Sequence, residues 1–63
     1  MNTNKKRLQQ LEAAVEKGLF NRDESLFNLA LEARRNLKYF LTYGRMSDNQ
    51  AATVMAAMVK VKK

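Results

Sequence analysis

Glu12 and Glu16 stand four residues apart in a stretch of helix formers, so a helix would carry both carboxylates on one face. Such a pair is the raw material of general acid–base catalysis. Lys17 and other basic residues stand close by, and a solvated outer face explains the pair more simply. Ser25 and Ser47 are the hydroxyl candidates, and both are better explained as residues of helix starts. The chain has 0 His and 0 Cys, which removes the commonest bases, thiolate nucleophiles, disulfides and the usual zinc sites. Its carboxylates are spread along the chain rather than clustered as metal ligands. Catalysis, a metal and a cofactor are therefore not expected.

The basic residues are a better source of function. Residues 1–32 hold five cations (Lys5, Lys6, Arg7, Lys17, Arg22) and five carboxylates (Glu12, Glu16, Asp23, Glu24, Glu32), and sum to 0. Residues 33–63 hold Arg34, Arg35, Lys38, Arg45, Lys60, Lys62 and Lys63 against Asp48 alone, and so carry all of the +6 net charge. That asymmetry points to an acidic partner at one end of the molecule. Arg34 and Lys38 share a helical stripe, with Arg35 beside them. Tyr39 and Tyr43 follow four apart, and Arg45 stands in the next turn. Cations interleaved with aromatic rings suit nucleic acid, which takes the cations on phosphates and the rings on bases. Each residue also has a plainer role, because Arg and Lys form helices well and suit helix C-termini.

The elements that position these groups are three helices. Pro is absent, and both glycines follow amphipathic stretches as helix-ending residues. Asn21 with Glu24, and Ser47 with Gln50, are helix-start pairs, the second a good capping box with Met46 and Ala51 around it. Asp23, Glu24 and Asp48 suit first turns. The reading is an all-α, single-domain three-helix bundle over residues 1–63, with helices at about 4–17, 22–43 and 48–60. Leu26, Leu29, Ala30, Ala33, Leu37, Phe40 and Leu41 form the main face of helix 2, with Phe27 and Leu31 on a smaller patch. Leu8, Leu11 and Val15, with Ala14 at the edge, make a narrow stripe on helix 1. The final Val-Lys-Val-Lys-Lys is expected to fray.

Helix 3 is unusually apolar. Asn49, Thr53 and Lys60 form its one polar stripe, and two other helices are too few to cover the remainder. Its outer surface is expected to be an interface made of Val54, Met55, Met58, Val59, Ala52 and Ala56, most simply with a second copy as a homodimer. A compact monomer with helix 3 at its centre is the competing expectation.

The segment Leu37–Lys60 has the outline of a helix-turn-helix. A recognition helix, however, presents polar side chains to base edges, and here only Asn49, Gln50 and Thr53 qualify. The expected function is that of a small regulatory or adaptor protein, of a kind that phage or bacterial genomes encode. It would dock on itself, or on an acidic or nucleic-acid-handling protein, with Arg34, Arg35, Lys38, Tyr39, Tyr43, Arg45, Lys60, Lys62 and Lys63 framing the contact. The alternative is direct, weakly sequence-specific binding of DNA or RNA through the phosphate backbone. Neither a membrane span nor a signal peptide is evident, and helix 3 lacks the basic face of a lipid-surface helix. A cytoplasmic protein is the expectation.

Overall fold

Gly44 ends one helix and Ser47 begins the next, and the backbone at both follows from residue type. In the computed structural model, which describes residues 2–62, the order is α1 (Asn2–Glu16), α2 (Glu24–Tyr43) and α3 (Asp48–Val61). Gly44 adopts φ 78°, the left-handed conformation open to Gly at little cost, and its amide donates to the Phe40 carbonyl at 2.7 Å. Ser47 is the N-cap of α3. Its hydroxyl accepts from the Gln50 amide at 3.2 Å, and the Gln50 side chain accepts from the Ser47 amide at 2.8 Å, completing the capping box.

The start of α2 differs from expectation. Asp23, not Asn21, is the N-cap, and its carboxylate accepts from the amides of Ser25 (2.7 Å) and Leu26 (3.2 Å). The chain from Lys17 to Arg22 instead forms a tight turn. Gly18 takes φ 83° there, and the amides of Leu19 and Asn21 donate to the carbonyls of Ala14 and Gly18. This turn drives Phe20 into the interior, where it is fully buried. At the other end α3 does not fray at Val59. It runs to Val61, which packs against the core.

The core is one cluster. Leu11 and Ala14 of α1, Phe20 of the turn, Ala30, Ala33 and Leu37 of α2, and Val54, Ala57 and Met58 of α3 are its buried members. Leu26, Phe27, Leu29, Leu8, Val15 and Met46 pack around them, while Leu31 and Leu41 remain partly exposed. Four of the nine buried members are Ala, and such small side chains let helices approach closely. The radius of gyration of 10.8 Å is close to the roughly 10.6 Å expected of a closed domain of this length. The three helices therefore close on one another within one chain. α2 packs against both α1 and α3, and it forms a groove with each of them.

Candidate docking surface

α3 has two apolar flanks with different fates. Val54, Ala57, Met58 and Val61 recur at helical spacing and form the seam against α1 and α2. Val54 is 1% exposed and Met58 4%, so these two residues belong to the chain's own core. The expectation that they form an outer surface is corrected accordingly. The opposite flank remains open. Ala52, Met55, Ala56 and Val59 are all exposed, Met55 to 49% and Val59 to 56%. The polar stripe faces a different way. Asn49 and Thr53 line a groove against Glu32, Arg35 and Asn36 of α2, and the Asn36 side-chain Nδ2 donates to the Gln50 backbone carbonyl at 3.3 Å.

The basic residues of α2 do not form one patch. Arg34 Nε donates to Glu12 Oε2 at 3.0 Å, tying α2 to α1. It is thus removed from the open cationic stripe expected of it, because α1 occupies that flank of α2. Half-exposed pairs of this kind contribute at most about 1 kcal/mol. Glu16 lines the same groove with Val15 and Leu31, so both carboxylates considered for acid–base work border it together with Arg34. Arg35 turns the other way, toward α3, with Glu32 in the same groove. Lys38 is exposed on the outer side.

Tyr39 and Tyr43 pack on each other, ring centroids 4.6 Å apart and planes tilted by 46°. Tyr39 also borders a shallow hollow beside Arg45, Met46 and Ser47. Arg45 precedes α3 and Lys62 ends it, so about 21 Å of helix separates them. Lys60 and Lys62 are exposed at that far end. Lys63 lies outside the described residues.

Sequence reasoning missed a second set of cations. Lys6 and Arg7 of α1, and Lys17 just past its end, line two adjoining depressions beside α3, while Glu12 and Glu16 line the groove against α2. Summing charge over residues 1–32 hid this sorting. Helical spacing could have revealed it, since positions 6, 7 and 17 fall on a different side from positions 12 and 16.

No protein-family model, no curated protein and no solved structure matches the chain, so its function rests on what this surface can do. Among the described residues no helix is long and apolar enough to cross a membrane.

Proposed function

We propose that the chain is a non-enzymatic docking protein, regulatory or adaptor in role, which meets another protein through the outer flank of α3. The observation that carries this reading is the apolar stripe Ala52, Met55, Ala56 and Val59, still exposed after the chain has closed its own core. Adjacent exposed apolar residues on one helix face suit helix docking, and Met adapts its shape to a partner.

Charge bears on the choice of partner. A second copy would carry another +6, so like charge opposes self-association. An acidic partner is favoured over a homodimer built on α3 alone. Direct nucleic-acid binding is the second reading, supported by Lys38, Tyr39, Tyr43 and Arg45 at the α2–α3 corner. The two rings spend part of their faces on each other, which weakens that support.

The test is partner retention from native cells after mild crosslinking. Wild type and the distant surface variant Asn28→Asp should retain the same partner, and Met55→Asp should lose it while keeping its helical circular dichroism. Retention of that partner by a folded Met55→Asp would overturn the reading.

A further inference from the structure

We infer that the groove between α1 and α3, on the side away from α2, binds an acidic amphipathic helix of a partner protein. The inference rests on the docking reading above and specifies its occupant and its second wall. Two depressions of about 270 and 360 Å3 share Gln10 and Lys62, and so adjoin along the α1–α3 seam. Their apolar floor includes Ala13, Ala14, Met55, Met58 and Val61. Lys6, Arg7, Lys17 and Lys62 line them as well, and no carboxylate side chain does among the described residues.

The six carboxylates of the chain lie elsewhere. Glu12 and Glu16 line the α1–α2 groove, Glu32 lines the α2–α3 groove, and Asp23, Glu24 and Asp48 stand at helix starts. The fold therefore gathers four cations from the two ends of the sequence around one apolar floor.

The shape specifies the occupant further. Lys6 lies on α1 and Lys17 directly follows its last residue, Glu16, so about 15 Å of helix, or nearly three turns, separates them. α2 covers one side of the α1–α3 pair, and an incoming helix on the other side would complete a four-helix bundle. An apolar floor with a cationic rim complements a helix having Leu-like residues on one face and Glu or Asp on its flanks. No aromatic side chain lines the two depressions among the described residues, so base stacking has no platform there.

Nuclear magnetic resonance titration of the full chain tests this. The probe is a synthetic 15-residue helix with Leu at i, i+3, i+4 and i+7 and Glu on the flanks. Its controls are a scrambled peptide of the same composition and a single-stranded oligonucleotide. The expected result is saturable shift changes at Lys6, Gln10, Lys17, Met55 and Lys62. Binding should be at least tenfold weaker for the scrambled peptide and for the doubly substituted Lys6→Glu, Lys17→Glu chain. Equal binding of the scrambled peptide would overturn the inference, as would tighter binding of the oligonucleotide in the groove. Shifts confined to Ala52, Ala56 and Val59 would overturn the groove while leaving docking on α3 intact. Absence of shifts at either surface would count against both.

Discussion

Replacing Phe20 with Ala removes the largest fully buried side chain, from a turn with no regular structure of its own. Phe20 is 0% exposed and belongs to the same cluster as Leu11, Leu37 and Val54, so the substitution leaves a cavity where the turn meets the bundle. Phe→Ala changes in cores cost about 3–5 kcal/mol. A chain of 63 residues at roughly 0.05–0.15 kcal/mol per residue has about 3–9 kcal/mol in total. The variant should lose a third or more of its stability and, at the low end, be unfolded. With a urea slope near 1 kcal/mol per molar, its midpoint should fall by about 3 M or the transition should vanish. Phe20→Leu keeps an apolar group in the site and should cost roughly 1–2 kcal/mol. Leu19 is the internal control, because it is half exposed in the same turn and Leu19→Ala should cost about 1 kcal/mol or less. Urea titration followed by circular dichroism at 222 nm measures all three. A Phe20→Ala midpoint within about 0.5 M of wild type would refute the placement of Phe20 in the core, as would a greater loss from Leu19→Ala.

Adjacent residues on α3 should behave in opposite ways: Met58→Ala costs about 2–5 kcal/mol by the same titration, and Val59→Ser stays within about 0.5 kcal/mol. Ser47→Ala removes the α3 cap and should lower stability by about 1 kcal/mol, read as a drop in thermal midpoint. Gly44→Ala should cost about 1 kcal/mol, although a Cβ there meets nothing within 4 Å, because the penalty lies in the positive φ. Arg34→Ala should cost at most about 1 kcal/mol, and adding salt should shrink the difference from wild type.

Local signals carried far in this chain. The Ser47–Gln50 pair and Gly44 placed the α2–α3 corner correctly, because a capping box and a left-handed Gly depend on a few neighbouring residues. The apolar spacing on α2 likewise identified Ala30, Ala33 and Leu37 as inward-facing. The α1–α2 turn was less legible. Asn21 and Asp23 are both good caps, and the burial of Phe20, which depends on the whole core, bears on where the helix begins.

The candidate surface was legible in part. Apolar composition singled out α3, but which flank meets α1 and α2 is a tertiary matter, so Val54 and Met58 were assigned outward when they face in. Charge was least legible. The sum over residues 1–32 conceals that Lys6, Arg7 and Lys17 border α3 while Glu12 and Glu16 border α2, where Glu12 engages Arg34.

The central claim is that the outer flank of α3 touches a partner. It is tested most directly by placing a photoreactive amino acid at each position from 52 to 59 in turn and measuring adduct yield in native cells. The account predicts maxima at positions 52, 55, 56 and 59 and minima at the core positions 54 and 57. A maximum at position 53, on the polar stripe, or a yield that is flat along the helix would contradict it.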